Sequence, residues 1–78
     1  MPKLVPVTPS RIIHILHELG FWETRIRGSH HFFRNTFSGK TTIVSVHSNK
    51  VLGVGALKMI LREINLSVEE YEKLRRKI

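Results

Sequence analysis

Three β-rich runs follow one another in the middle of this chain with only tight turns between them, which leaves few folds open. Phe21 to Arg27 mixes aromatic, β-branched and charged residues. His30 to about Asn35 follows directly after Gly28-Ser29. Lys40 to Val46, built around Thr41-Thr42-Ile43-Val44, follows after Thr36-Phe37-Ser38-Gly39. Connections this short imply an antiparallel meander, because a parallel neighbour needs a crossover of about a dozen residues.

Helical patterns flank the three runs. Pro2 and Pro6 hold the first residues extended, as a short arm. Thr8 suits an N-cap with Pro9 at the first helical position. Ile12, Leu16 and Leu19, joined by Ile13 and Ile15, then recur at helical spacing until Gly20 stops the helix. Arg11, His14, Glu18 and His17 fall on or beside its wet side. After the strands, Leu52-Gly53-Val54-Gly55 reads as a flexible entry to a second helix with the stripe Leu57, Ile60, Leu61, Ile64, ending near Asn65. Ser67-Val68-Glu69-Glu70 matches a capping box with Leu66 and Tyr71 as its hydrophobic staple, opening a short last helix that ends in Lys73, Arg75, Arg76 and Lys77. The expected class is α+β, α-β-β-β-α plus a short C-terminal helix. A three-stranded antiparallel sheet would carry its helices on one face, within one domain spanning residues 1–78.

Alternation in the second strand places His31 and Phe33 on one side and His30, Phe32 and Arg34 on the other. Each set offers a Phe, so the apolar pattern is ambiguous. A guanidinium is rarely buried, and Arg34 therefore turns its own set outward, with Phe33 facing the helices. In the third strand Thr42, Val44 and Val46 point inward and Ile43, Ser45 and His47 outward. On this reading His30 and His47 share the open face.

Composition narrows the partners. Thirteen Lys and Arg stand against six acidic residues, a formal charge of +7. Such an excess attracts phosphate backbones and releases their counterions, pointing to nucleic acid ahead of an acidic protein partner. There is no cysteine, which excludes disulfides, thiolate metal sites and cysteine nucleophiles. No stretch approaches the roughly 18 apolar residues of a membrane span, and Met1 to Pro6 lacks a signal-peptide core, so a cytoplasmic chain is expected. A domain of 78 residues has little room for a deep cofactor pocket, and a shallow site for a polymer is the better expectation.

His30 is the leading candidate for chemistry. Gly28-Ser29 reaches it through a turn of little bulk, leaving backbone N–H groups and the Ser29 hydroxyl free for a phosphate. RNA carries its own nucleophile in the 2′-hydroxyl, so one base plus cations can suffice. Spacing alone favours the blander reading of a solvated strand histidine. His47 is a second acid–base candidate, whereas His31 reads as a packing or hydrogen-bonding residue. Arg25, Arg27, Arg34, Lys40 and Lys50 are candidates for phosphate contact. His14 and His17 lack the acidic or cysteine partners that would complete a metal site. Gly53-Val54-Gly55 is no phosphate-binding P-loop, and no serine has a triad signature around it. Neither metal nor cofactor is expected.

At these residues the chain resembles the HicA family, the toxin component of HicA–HicB type II toxin–antitoxin systems. The resemblance rests on Leu19-Gly20-Phe21, on Arg27-Gly28-Ser29-His30 with Phe33 three residues on, and on Val44 to His47. Leu57, Ile60, Leu61, Arg62 and the stretch Leu66 to Tyr71 complete it. It implies a double-stranded-RNA-binding-domain-like fold, metal-independent mRNA cleavage that arrests translation, neutralisation by a HicB antitoxin, and His30 as the catalytic histidine. The chain departs from the family pattern at Ser45 and Val54, where members carry proline, and in a longer turn from Asn35 to Lys40. Two function classes follow: a ribonuclease toxin acting through His30 on RNA but not DNA, and a non-catalytic double-stranded RNA-binding module. A basic domain that never meets RNA is a remote third.

Overall fold

The computed structural model describes residues 3–47 and 50–78; Pro2 of the expected arm, and Ser48 and Asn49 after His47, lie outside the described residues. Its elements run α1 (Pro9–Glu18), β1 (Phe21–Arg27), β2 (His30–Asn35), β3 (Thr41–Ser45), α2 (Val54–Glu63) and α3 (Val68–Lys77). The strands form an antiparallel sheet in the order β1-β2-β3. This is the α+β meander that the short connections predict. No helix among the described residues is long and apolar enough to cross a membrane.

Local chemistry sets the helix ends. The Thr8 hydroxyl accepts the Arg11 N–H at 3.2 Å, and Pro9 opens α1. Val54 occupies the first position of α2 behind Gly53, a position whose free N–H makes proline and valine interchangeable there. At the far end of α2, Asn65 adopts a positive φ of 58°. The Leu66 and Asn65 N–H groups donate to the Leu61 and Arg62 carbonyls, the two bonds of a Schellman cap. Ser67 and Glu70 close the expected capping box at α3. The Ser67 hydrogen bonds hold the Glu70 carboxyl below the usual glutamate range, and the paired Arg75 guanidinium does the same for Glu72.

Two segments are more integrated than their sequence suggests. The N-terminal arm is part of the core: Leu4 and Val7 are buried, and Val7 and Leu52 exchange two backbone hydrogen bonds. That bridge fixes the approach to α2, so Val54 and Gly55 are helical rather than flexible. The last helix is not short either. It has ten residues, as many as α1 or α2. The capping box starts it, fully buried Tyr71 anchors it, and Arg11 of α1 donates to the Arg75 carbonyl at 2.6 Å.

The core lies on one face of the sheet, where Phe21, Phe33 and Val44 meet Ile12, Ile15, Leu16, Leu57, Ile60, Leu61 and Tyr71. Buried Asn35 donates to the Leu19 carbonyl and accepts the Phe37 and Ser38 N–H groups, which ties the β2–β3 turn to the end of α1. The Tyr71 hydroxyl has no hydrogen-bond partner among the described residues, and burial pushes its pKa up. An unpaired buried hydroxyl costs about 1–3 kcal/mol. Tyr71→Phe is therefore expected to hold or raise the thermal midpoint, and a lower one would show that the hydroxyl is paired.

Candidate active site

His30 is the first residue of β2, and the two-residue Gly28-Ser29 turn places it opposite Arg27. Gly28 has φ +57° at the first central position of this hairpin, the pattern of a type II′ turn that glycine fills at least cost. A Cβ added there would meet nothing within 4 Å, so the backbone at Gly28 is open to an approaching group. The Ser29 carbonyl accepts the Val46 N–H at 2.8 Å, which locks the turn to the end of β3. His30 therefore projects from a clamped three-strand corner while remaining exposed.

The open face is built in three rungs. Arg27, His30 and Ser45 form the first, Arg25, Phe32 and Ile43 the second, and Arg34 and Thr41 the third, where Trp22 of the edge strand pairs with Arg34 but turns its ring to His17 of α1. Phe33, one residue out of phase, is 1% exposed, as the placement of Arg34 predicts. The Arg25 guanidinium lies 4.4 Å from the centroid of the Phe32 ring, a cation–π contact that holds charge flat on the sheet.

A β-bulge between Glu23 and Arg25 reconciles this face with a buried Phe21. Phe21 opposes Asn35 and Glu23 opposes Phe33, both on the core side, and then the register slips so that Arg25 opposes Phe32 and Arg27 opposes His30. Thr24 is the extra residue, and its hydroxyl donates to the Phe32 carbonyl at 3.3 Å. Simple alternation from buried Phe21 would send Arg25 and Arg27 to the core side instead. The bulge cannot be read from alternation. Past Phe21 the strand is also solvated on both faces, with Ile26 53% exposed, because the hairpin extends beyond the helices.

The remaining candidates separate. Arg34 shares the face but lies four residues along β2 from His30, about 13 Å by strand rise. Lys40 sits beyond Asn35 at the opposite end of β2, beside Leu19, Phe21 and Asn65. His47 follows the end of β3 and lines a different hollow with Thr8, Pro9, Ser10 and Lys50, near the start of α1. His30 and His47 thus do not meet, because β3 ends at Ser45 and the chain turns toward α1. On the core side, His31 Nδ1 lies 2.7 Å from Glu23 Oε2. A carboxylate only accepts, so the ring donates from that nitrogen. His17 stacks on Trp22 with centroids 5.1 Å apart, and His14 faces Glu18 at 3.8 Å.

Beside His30 a hollow opens between β3 and α2. It is lined by His30, Ile43, Ser45, Leu52, Ala56, Met59, Ile60 and Glu63. The α2 residues in it are not evident as site residues from sequence, since only tertiary packing brings that helix to the strand edge.

Against known proteins, the family model described as the HicA toxin of bacterial toxin–antitoxin matches residues 9–66. The chain belongs to the HicA family. The match runs from Pro9, which opens α1, to Leu66 in the Schellman cap, and so takes in the whole sheet and α2. No individual curated protein matches the chain. Membership of the HicA family supports a toxin's role and implies an antitoxin as partner. The two positions read as departing from proline fall at structurally permissive places: Val54 at a helix start, and Ser45 at the end of β3, on the rim of the hollow beside His30.

Proposed function

We propose that this protein is an mRNA interferase, a metal-independent endoribonuclease that arrests translation in the cytoplasm and is neutralised by a HicB-type antitoxin covering the basic face. The observation that carries this reading is an exposed imidazole flanked by Arg27 and Ser45, on a face to which the hairpin register brings two arginines. RNA lying across that face would place a phosphate between Arg27 and the open Gly28-Ser29 backbone. Unprotonated His30 takes the proton of the adjacent 2′-hydroxyl. The 2′-oxygen then attacks phosphorus, forming the P–O2′ bond as the P–O5′ bond breaks. The departing 5′-oxygen takes a proton from water, and His30 returns its own to solvent. The products are a 2′,3′-cyclic phosphate and a 5′-hydroxyl. Arg25 and Arg27 stabilise the charge that develops on the phosphoryl oxygens.

Every step uses the substrate's own hydroxyl and this chain's side chains. Purified protein is therefore expected to cleave RNA in EDTA at an unchanged rate, to leave cyclic phosphate ends, and to spare oligonucleotides with 2′-deoxy sugars throughout. Raising salt from 50 to 200 mM should weaken binding steeply, by an exponent that counts the phosphates neutralised. Equal cleavage of the all-deoxy substrate would refute the mechanism. Salt-sensitive binding without cleavage would leave the double-stranded RNA-binding alternative.

A further inference from the structure

Glu63 is a costly residue where it stands. It is the last residue of α2, where the helix dipole disfavours negative charge, and it lines the hollow that holds His30 in a chain of net charge +7. One of its oxygens is occupied: the Thr42 hydroxyl, on a nearly buried side chain, donates to Oε1 at 2.8 Å. A neutral acceptor would serve Thr42 as well. A carboxylate beside a phosphate-binding face repels the polyanion, so its useful partner must be a part of RNA that donates hydrogen bonds and carries no charge.

The rest of the hollow fits such a group. Leu52 and Ile60 are buried in its floor, and Ile43, Ala56 and Met59 are exposed around it, Met59 to 63%. Its volume of about 250 Å³ is below the 300–1,000 Å³ typical of drug-sized ligand pockets, the scale of one flat ring system. Aliphatic walls and a thioether suit the faces of an unstacked base. Of the four RNA bases only guanine presents two adjacent N–H donors, N1–H and N2–H, on its Watson–Crick edge, and these match a carboxylate in a bidentate pair. Adenine, cytosine and uracil each place an acceptor beside their donor and would meet repulsion.

We propose that the hollow between β3 and α2 is a base-recognition subsite and that Glu63 selects guanine next to the cleaved phosphate. This rests on the ribonuclease reading and adds its specificity. The test uses oligonucleotides with a single ribose in a deoxy background, varied through all four bases on each side of the one cleavable phosphate. Guanine at one of the two positions should be cut roughly 5- to 150-fold faster than uracil there, the discrimination of a good bidentate pair. In Glu63→Gln the amide oxygen can still accept from Thr42, but the amide nitrogen faces the guanine donors. The guanine preference should collapse to below about threefold, with cleavage at uracil unchanged or faster. A uniform loss over all four bases would overturn the proposal in favour of a structural or catalytic role, as would wild-type cleavage without preference. Should the wild-type protein cut nothing, the ribonuclease reading fails and binding still decides the subsite. Oligonucleotides carrying a 2′-O-methyl group at the one ribose should then bind more tightly with guanine than with uracil, and Glu63→Gln should abolish the difference. Equal binding by both proteins would refute the subsite.

Discussion

Replacing His30 with alanine is expected to abolish RNA cleavage and, on induction in cells, growth arrest, while leaving the fold and most RNA affinity intact. The separation follows from where the residue sits. Its side chain is exposed and outside the core, and substitutions at such positions usually change stability by no more than about 0.5 kcal/mol. In the proposed mechanism affinity rests on the arginines and on the Gly28-Ser29 backbone, which the substitution does not touch. Proton transfer by a positioned side chain contributes about 10²- to 10⁴-fold, and among the described residues His47, in its separate hollow, is not placed to substitute. Cleavage should therefore fall at least a hundredfold, with an unaltered thermal midpoint and an RNA dissociation constant within a few-fold of wild type. His47→Ala should cost far less. If His30→Ala cut RNA at the wild-type rate, the general-base assignment would be wrong. Lost cleavage together with a collapsed melting transition would mean the residue is needed for folding.

Phe33→Ala should be the most damaging change to the fold. Phe33 is in the central strand, 1% exposed, and packs in the cluster that joins the sheet to the helices. Truncating a buried Phe costs about 3–5 kcal/mol. Native stability of about 0.05–0.15 kcal/mol per residue gives a chain of this length about 4–12 kcal/mol in total. The variant should be largely unfolded or melt far below the wild type by circular dichroism, whereas Phe32→Ala, on the open face, should fold. A Phe33→Ala protein as stable as wild type would mean that the sheet does not pack through this face.

The comparison of Phe32 with Phe33 shows how much of the fold was legible in the sequence. Two adjacent phenylalanines carry no directional information by themselves. Arg34 does, because burying a guanidinium without a partner is prohibitive. The helix ends were legible for the same kind of reason: Thr8, Gly20 and the Ser67–Glu70 box act on backbone groups within a few residues of themselves. Features decided by distant contacts were not. Leu4 and Val7 read as an arm because nothing local says that Val7 pairs with Leu52. Gly53 and Gly55 read as flexible, yet that same bridge and the buried Leu57 hold them at a helix start. In the candidate site, His30, Arg27 and the Gly28-Ser29 turn were legible because a two-residue hairpin leaves little freedom. Glu63 was not, since it reaches the hollow only through the packing of α2 beside β3.

Thr24 carries a consequence that a count of charges does not reveal. The two-residue turn pairs Arg27 with His30 and Arg25 with Phe32, so both arginines share the His30 face whatever the strand's length, and the bulge at Thr24 absorbs the extra residue so that Phe21 still faces the core. The electrostatic environment of His30 is thus encoded as a distance from the turn, while the odd or even number of residues back to Phe21 decides only whether a bulge is needed. Among relatives, basic positions in this strand should be aligned by counting back from the glycine of the turn rather than forward from the aromatic that opens the strand. Aligned from the wrong end, two proteins presenting identical fields to RNA would look unrelated in the residues that create them.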